Sequence, residues 1–345
     1  SQPRTGWNAF AHLTKSVNRN LKDARRPDRG VLMNTDRDIW IREVGTRDGL
    51  QSIQTQFSTQ NKLEWIRLEA AAGIPEIEVG SFVPPKLLPQ MADTADVVAG
   101  ALMVDGLTVS VLVPNLRGAQ AGMASGAHLL NFPLSVSEAH SEANLRKPVS
   151  AAIDDFANVM KFRHEHPEYA HVKIGVGLAT AFGCTISGQV ALADVLRAAE
   201  KVIALGPDEI AVADTVGYGN PAQCRRIFRE ILALAGDIPV AAHFHDTRGL
   251  GLANVDAALD VGVRRFDSSL GGLGGCPYAP GASGNVVTDD LVFMLEAMGL
   301  TTGVDIDKLL VARQFMEQHL NDEPTFGAIA NAGVPKGFVP AMRGA

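Results

Sequence analysis

Two histidines one residue apart, His243 and His245, are the most distinctive pair of potential metal ligands in the sequence. They end an apolar run, residues 240–245, that reads as a β-strand, and alternate side chains of a strand point to the same face. Both imidazoles could therefore reach one cation, although two histidines hydrogen-bonded within a core would show the same spacing. His164 and His166 share that spacing in a segment that reads as helix or loop, where such side chains diverge, so we expect them to face solvent.

Asp48 and Asn285 could complete a cation site beside these histidines. A carboxylate away from water needs a positive partner, which is either a bound cation or, for Asp48, the neighbouring Arg47. Asn285 could add an amide oxygen. A set of two imidazoles, one carboxylate and one amide, without thiolate, favours Mg2+, Mn2+ or a similar ion with open positions over a closed structural zinc site. Such positions could bind a substrate that carries both a carbonyl and a hydroxyl group.

Cys276 lies in a run of glycines, residues 271–277, that is too glycine-rich for a core strand. Such a loop can move and close over a ligand, carrying the thiol with it. An inert cysteine in a structural turn is the alternative. A phosphate-binding loop is disfavoured, because the Lys-Ser/Thr that such a loop needs is missing.

The elements that must position these residues form a regular alternation of short apolar runs and amphipathic stretches. This pattern predicts βαβ units around a parallel sheet buried on both faces. Eight such repeats match an α/β fold of the (β/α)8 TIM-barrel type better than an open sheet, and no GxGxxG follows the first strand. The predicted strands are residues 39–45, 76–82, 107–114, 128–136, 172–179, 209–216, 240–245 and 264–270.

In such a barrel, chemistry gathers where the strands end at their carboxyl termini. The reactive residues fall at these ends, so we expect them to cluster. Two of them have a structural interpretation as well: Glu78 could be the partner of Arg47, and Asp214 could cap the following helix. The residues at or after strand ends are Arg47, Asp48, Glu78, Ser81, Asp214, His243, His245, Cys276 and Asn285.

Composition is that of a globular protein and excludes several classes. The 345 residues carry 31 Lys+Arg, 38 Asp+Glu and a net charge of -7, which argues against a general nucleic-acid binder. No apolar run reaches the roughly 18 residues of a membrane span. The 3 cysteines are widely spaced and odd in number, which argues against a disulfide framework and for a reducing compartment.

We divide the chain into an N-terminal extension (1–37), the barrel (38–303) and a C-terminal helix and tail packing on the barrel (304–345). The extension is basic, so a transit peptide is an alternative to an ordered amphipathic helix. Residues 322–345 are rich in Ala, Gly and Pro and predict a loosely structured tail. The apolar positions at helical spacing in the extension are Trp7, Phe10, Leu13, Val17 and Leu21.

Five segments together resemble the 3-hydroxy-3-methylglutaryl-CoA lyase family, metal-dependent TIM-barrel lyases related to isopropylmalate and homocitrate synthases. The resemblance spans roughly residues 38–320, and its most specific part is the Gly-Cys-Pro-Tyr-Ala sequence around Cys276. The segments are 47–51 (RDGLQ), 81–86 (SFVPPK), 243–247 (HFHDT), 271–279 (GGLGGCPYA) and 281–285 (GASGN).

The resemblance assigns three sets of residues. Arg47 would neutralise the thioester enolate oxygen as it forms, and the thiol of Cys276 would protonate the enolate carbon. The residues that would bind the divalent cation, Mg2+ or Mn2+, are Asp48, His243, His245 and Asn285. Those that would bind substrate are Arg47, Gln51 and Ser81. Those that would act in catalysis or proton transfer are Arg47, Cys276, Glu78 and Asp214.

The implied reaction is cleavage of 3-hydroxy-3-methylglutaryl-CoA to acetyl-CoA and acetoacetate. The implied partner is an acyl-CoA substrate, in a homo-oligomer of two or more copies, with neither nucleic acid nor membrane. A bacterial-type cytoplasmic enzyme is expected, with the mitochondrial matrix as the alternative.

Three departures from the family bear on the substrate. His140 is not expected after strand 4, residues 183–187 (GCTIS, with Cys184) stand after strand 5 where Gly-Cys-Pro-Tyr is expected, and Asp289 follows Asn285 where Glu is more familiar. The alternatives are therefore a lyase for citramalyl-CoA or a longer branched hydroxyglutaryl-CoA, or a condensing synthase of the isopropylmalate type. A non-catalytic barrel would have little use for the reactive set.

Overall fold

A computed structural model describes residues 37–275, 284–320 and 322–341. Its eight parallel strands close into one barrel in chain order, which confirms the predicted TIM barrel. Strand β1 pairs with β2 on one side and with β8 on the other. The strands are β1 Trp40–Glu43, β2 Glu76–Ser81, β3 Thr108–Leu112, β4 Leu129–Ser135, β5 Lys173–Ala179, β6 Glu209–Asp214, β7 Val240–Phe244 and β8 Arg265–Ser268.

Helices cover the barrel and return the chain between strands. Polar N-caps begin several of them: Ser58 accepts a hydrogen bond from Asn61 N, and Asn220 accepts one from Gln223 N. The helices are α1 Thr59–Ala72, α2 Thr94–Ala101, α3 Leu116–Ala124, α4 Glu138–Leu145, α5 Val149–Glu165, α6 Leu192–Ile203, α7 Pro221–Ala235, α8 Gly251–Asp260, α9 Thr288–Ala297, α10 Ile306–His319 and α11 Ile329–Ala332. Short turns of other helix types occur at Gly45–Gly49, Pro89–Met91, Pro167–Tyr169 and Leu270–Gly272.

The interior of the barrel carries charge toward the amino ends of the strands. Arg42 of β1 forms ion pairs with Glu76 of β2 and Glu209 of β6, and Arg265 of β8 pairs with the same two carboxylates. Asp267 of β8 lies 3.3 Å from Arg42 Nη1. All five side chains are buried. This group, called the inner charge network below, lies beneath the carboxyl ends where the reactive residues sit.

Backbone N–H groups of the C-terminal segment donate hydrogen bonds to the segment after β8 and to α9. Phe326 N donates to Gly271 O, and Ala328 N donates to the carboxylate of Asp290 in α9. Residues 1–36, including the predicted amphipathic helix, lie outside the described residues, so the division into three parts stays a prediction. None of the helices in the described ranges is long and apolar enough to cross a membrane.

Candidate active site

A single π-helical turn, Gly45–Gly49, places Arg47 and Asp48 at the carboxyl end of β1. Both side chains are buried, at 9% and 8% exposure. Arg47 Nη1 donates to Asp48 Oδ1 at 2.6 Å, and Gln51 Nε2 donates to the same oxygen at 2.9 Å. The salt bridge to Arg47 therefore exists, but it occupies only one of the two carboxylate oxygens of Asp48.

His243 of β7 and His245, the residue that follows β7, face one another as strand alternation predicts. Their Nε2 atoms lie 3.1 Å apart, and His245 Nε2 lies 3.7 Å from Asp48 Oδ2. One ligand atom from each of Asp48, His243 and His245 falls within 4.8 Å of the others, which is the geometry of a site that could hold a metal ion. His164, by contrast, is exposed in the last turn of α5 as expected, whereas His166 is half-buried because its ring stacks on Phe162.

Asn285 joins this group from the far end of the chain. It forms an antiparallel bridge with His245, and its Nδ2 donates to Asp48 Oδ2 at 2.7 Å and to Leu273 O at 3.1 Å. Its Oδ1 is buried without a hydrogen-bond partner among the described residues. A buried amide oxygen without a donor is costly, and a cation beside Asp48 would remove that cost.

The donor set fits a divalent cation. Two imidazole nitrogens face each other at hydrogen-bond distance, Asp48 Oδ2 lies 3.7 Å from one of them, and the Asn285 amide contacts that carboxylate through its Nδ2. Mixed nitrogen and oxygen donors without thiolate are typical of ions such as Mg2+ and Mn2+. The arrangement therefore supports the predicted four-residue set on an observation independent of motif: a buried acceptor, Asn285 Oδ1, that lacks a donor.

Burial and neighbouring charges hold most of these ligands in the deprotonated state that metal binding requires. Burial would raise the pKa of Asp48, but the charges of Arg47, His243 and His245 and the hydrogen bond from Asn285 together outweigh it and lower the pKa to about 2. Burial and the charge of His243 lower the pKa of His245 to about 4, so its imidazole is neutral at pH 7. Burial would also lower the pKa of His243, but the hydrogen bond and charge of Asp267 outweigh it and raise the pKa above its ordinary value of 6.5.

A second carboxylate holds Arg47 from the other side. Arg47 Nε donates to Glu78 of β2, whose other oxygen accepts from Asn131 Nδ2 of β4 at 2.7 Å. Glu78 is thus the partner of Arg47 as well as a residue lining the site. Burial lowers the pKa of Arg47, but the charges of Glu78 and Asp48 raise it by more, so the guanidinium stays charged. Its planar fork is fixed at two points.

Ser81 and Asp214 reach the same end of the barrel with different partners. Ser81 Oγ is buried with no hydrogen-bond partner among the described residues. Asp214 ends β6, and its two oxygens accept from Tyr218 N at 2.8 Å and Gly219 N at 2.9 Å. Its interpretation as the cap of the next helix was wrong, because Asn220 caps α7 and Asp214 instead closes the preceding turn.

The residues that depart from the family are placed less centrally. His140 Nδ1 lies 2.7 Å from the Oγ of Ser135, the last residue of β4, and burial lowers the pKa of His140. Cys184 is buried in the loop after β5, where Ile186 N donates to its Sγ. Asp289 pairs with Arg313 of α10, away from the ligand atoms. The predicted catalytic thiol, Cys276, lies outside the described residues, since 276–283 are not described.

Sequence reasoning missed Asp267. This β8 residue lies beside His243 in the sheet register, and its Oδ2 lies 3.1 Å from His243 Nδ1. A carboxylate behind a ligating histidine fixes its tautomer and ring orientation, leaving Nε2 for the metal. An acidic residue inside a predicted barrel strand was the available signal, but only the pairing of β7 with β8 shows what it touches.

Comparison with known proteins places the chain among a well-described group. A family model described as HMGL-like matches residues 38–316. The hydroxymethylglutaryl-CoA lyase of Bacillus subtilis is 39% identical over 282 residues, 82% of this chain and 93% of that protein. The mitochondrial hydroxymethylglutaryl-CoA lyase of Macaca fascicularis is 37% identical over 315 residues, 90% of this chain and 96% of that one. An Acinetobacter baumannii HMG-CoA lyase, solved with coenzyme A and 3-methylmalate, has 38% identity and a TM-score of 0.81, covering 88% of this chain and 97% of that chain.

Proposed function

This chain belongs to the HMGL-like family, and we propose from that membership and from its site that it cleaves 3-hydroxy-3-methylglutaryl-CoA into acetyl-CoA and acetoacetate. One observation carries the proposal beyond the comparisons. Asp48, His243 and His245 form a cluster that could hold a metal ion, Asn285 beside Asp48 has a buried Oδ1 with no donor among the described residues, and Asp48 also contacts a guanidinium held by two carboxylates. A cation site next to a fixed positive fork suits chemistry in which two neighbouring oxygens gain negative charge.

The proposed ligands come from the ends of β1 and β7 and from the segment before α9, which the barrel brings together. The residues that would hold the cation are Asp48, His243, His245 and Asn285. Their mixed nitrogen and oxygen donors favour Mg2+ or Mn2+. When bound, the cation supplies a positive charge that lowers the pKa of a coordinated hydroxyl group, as it does for water.

The chain's own residues then serve the cleavage. The carbon–carbon bond breaks as the substrate hydroxyl passes its proton to the carboxylate of Asp214, which yields the ketone of acetoacetate and the enolate of acetyl-CoA. Arg47 stabilises the developing charge on the enolate oxygen, and Cys276 donates a proton to the enolate carbon. Glu78 orients Arg47. Each oxygen of Asp214 accepts one backbone hydrogen bond, which orients the carboxylate in the 214–219 turn and leaves an acceptor position on each oxygen for the proton.

The residues proposed to bind the substrate lie beside Asp48 and at the end of β2. A relative solved with coenzyme A supports an acyl-CoA substrate. Gln51, which contacts Asp48, and Ser81, whose hydroxyl has no partner among the described residues, are proposed to bind the acyl group together with Arg47. Citramalyl-CoA or a longer branched hydroxyglutaryl-CoA stays the alternative substrate, because Ser135 and His140 form a polar pair at the end of β4.

Assembly and compartment are proposals that rest on the family resemblance. Relatives of similar identity are bacterial and mitochondrial. We propose a homo-oligomer of two or more copies and a bacterial-type cytoplasmic enzyme.

The test is a panel of acyl-CoA thioesters assayed with Mg2+, with Mn2+ and with chelator. 3-Hydroxy-3-methylglutaryl-CoA should be cleaved fastest, and only with metal. Cys276→Ala should lose most turnover while binding Mn2+ normally, whereas Cys224→Ala, at a thiol buried in α7, should retain turnover. Faster cleavage of citramalyl-CoA would select the alternative, and undiminished turnover in chelator would refute the metal-dependent reaction.

A further inference from the structure

A fully buried acid lies outside the site just described. Glu43, the last residue of β1, is 0% exposed. Its neighbour Arg42 points into the barrel toward the inner charge network, so by strand alternation Glu43 points outward, between the barrel and α1. Such positions in a barrel are ordinarily apolar. A carboxyl group kept there needs hydrogen-bond partners, and Glu43 has three.

Those three partners come from three separate segments of the chain. Glu43 Oε1 accepts from Gly45 N at 2.8 Å and from Leu270 N at 2.9 Å. Glu43 Oε2 accepts from the hydroxyl of Thr288 at 2.5 Å, and that hydroxyl lies 2.9 Å from Ser268 Oγ. Two of these segments are more than 200 positions away along the sequence, so no local turn accounts for them.

Each segment leads to a residue of the proposed site. Gly45 begins the π-helical turn that carries Arg47 and Asp48. Leu270 begins the segment whose Leu273 carbonyl accepts from Asn285 Nδ2. Thr288 begins α9, three residues after Asn285.

We infer that Glu43 is a positioning residue for the metal site: its carboxyl group ties together the turn bearing Asp48, the segment beginning at Leu270 and the segment bearing Asn285. The inference rests on the proposed cation site. Glu43 touches none of the four proposed ligands, so it acts through the backbone that carries them.

The hydrogen-bond pattern allows a sharp distinction between shape and charge. In Glu43→Gln, the amide oxygen can still accept from Gly45 N and Leu270 N, and the amide NH2 can donate to Thr288, whose hydroxyl then donates to Ser268. Burial also raises the pKa of Glu43 to about 7, so a neutral side chain is compatible with this place. Glu43→Ala instead leaves two buried backbone N–H groups without an acceptor.

Glu69 of α1 offers a matched control. It too is 0% exposed, but its carboxyl group bonds only to the Nε1 of Trp65 among the described residues, at 2.6 Å, and its Oε2 has no partner there. It therefore shares the buried setting of Glu43 but forms no hydrogen bond with the three segments that Glu43 joins. Glu69→Gln should change stability while those hydrogen bonds of Glu43 stay in place.

The experiment measures Mn2+ affinity by calorimetry without substrate, together with kcat and the midpoint of thermal unfolding. Relative to wild type, Glu43→Ala should lose about 10–100-fold in Mn2+ affinity, as residues that orient metal ligands commonly do. Glu43→Gln should restore the affinity to within about threefold of wild type, and Glu69→Gln should leave it unchanged.

Thr288→Val, compared with Thr288→Ser, carries the test if Glu43→Ala fails to fold: only the valine variant, which loses the hydroxyl, should weaken Mn2+ binding. Equal Mn2+ affinity in Glu43→Ala and wild type overturns the inference. A Glu43→Gln variant as weak as Glu43→Ala also overturns it, because charge rather than hydrogen-bond shape would then matter. A wild-type protein that binds no Mn2+ would refute the proposed site itself, a result distinct from either.

Discussion

Two reactive carboxylates at the mouth of the barrel, Asp48 and Glu78, each serve two partners at once. Asp48 gives one oxygen to Arg47 and turns the other toward His245 and Asn285. Glu78 likewise gives one oxygen to Arg47 and the other to Asn131. A salt bridge and a functional site are therefore compatible interpretations of the same residues, because a carboxylate has two oxygens and four acceptor positions.

Arg47→Lys tests the role of the guanidinium fork. Lysine keeps the charge but cannot hold Glu78 and Asp48 while also donating to an enolate oxygen. Loss of one well-placed donor to a developing oxyanion should lower kcat by about 10²–10³-fold. Steady-state kinetics at saturating Mn2+ measures this, with Mn2+ affinity as the check that Asp48 is undisturbed. A kcat within about threefold of wild type would show that the fork is not needed.

Proton release on metal binding tests the assigned protonation states. At about pH 6 the raised pKa of His243 keeps its imidazole protonated, while His245, with a pKa of about 4, and Asp48, with a pKa of about 2, are already deprotonated. Binding of Mn2+ should therefore release close to one proton at that pH, and fewer as the pH rises through the pKa of His243.

Calorimetry in buffers of different ionisation enthalpy counts these protons. Asp267→Asn should reduce the count, because it removes the charge that raises the pKa of His243. Release of two protons, or of none at about pH 6, would contradict the assignment.

How far the site could be predicted depends on whether its contacts lie within one strand or between strands. The facing of His243 and His245 follows from alternation within β7 and was predictable. The contact of Asp267 with His243 depends on the register of β8 against β7, and the bonds of Glu43 depend on segments that meet only in the closed barrel. Neither leaves a signal in local sequence.

At the scale of elements, strands were predictable and the turns after them were not. Every observed strand falls inside a predicted run, because a strand buried on both faces shows as a continuous apolar segment. The turn at Gly45–Gly49 is a π-helix, a rare form whose residues, Gly-Thr-Arg-Asp-Gly, predict only an irregular turn. Its shape follows from bonds such as that of Gly45 N to Glu43, not from propensity.

Gly274→Ala tests the close approach of the segment that follows β8 to the metal site. Gly274 has φ +105°, and a Cβ there would overlap Asn285 Nδ2 and lie 3.0 Å from Asp48 Oδ2. Gly206→Ala is the matched control, since Gly206 also has positive φ, at +72°, but has nothing within 4 Å of a Cβ. Both variants should lose about 1 kcal/mol of stability from backbone strain.

Only Gly274→Ala should weaken Mn2+ binding as measured by calorimetry, because only there does the added methyl group displace proposed ligands. Equal Mn2+ affinity in the two variants would mean that the segment does not confine Asp48 and Asn285.

At the scale of the whole molecule, the inner charge network links distant strands across the barrel. Glu76 of β2 bonds Arg42 of β1 at 2.5 Å, lies 3.3 Å from Arg265 of β8 and accepts from Trp40 Nε1 at 2.8 Å. Arg42 and Arg265 lie on the two strands whose pairing closes the barrel. Hydrophobic burial supplies the general driving force, but these charges must be paired for the closed barrel to form.

Glu76→Ala should therefore destabilise the fold strongly. Removal of one partner from a buried set of charges leaves the arginines undercompensated, and we expect the free energy of unfolding to fall by about 3–5 kcal/mol. Glu64→Ala, which breaks an exposed pair with Arg67, should cost less than about 1 kcal/mol. Denaturant unfolding of both variants at pH 7 makes the comparison, and similar losses would show that the inner charge network is not needed for closure.

The loss of unfolding free energy in Glu76→Ala should depend on pH. Burial would raise the pKa of Glu76, but the charges of Arg42 and Arg265 outweigh it and hold the pKa below the ordinary 4.5. A carboxyl with a lowered folded-state pKa stabilises the fold above the unfolded-state value, and that stabilisation disappears as the pH falls through the folded-state value. The difference in unfolding free energy between wild type and Glu76→Ala should therefore be largest near neutral pH and should narrow below about pH 4.5. A difference that stays constant across that range would mean that lost packing, rather than lost charge, is what the variant measures.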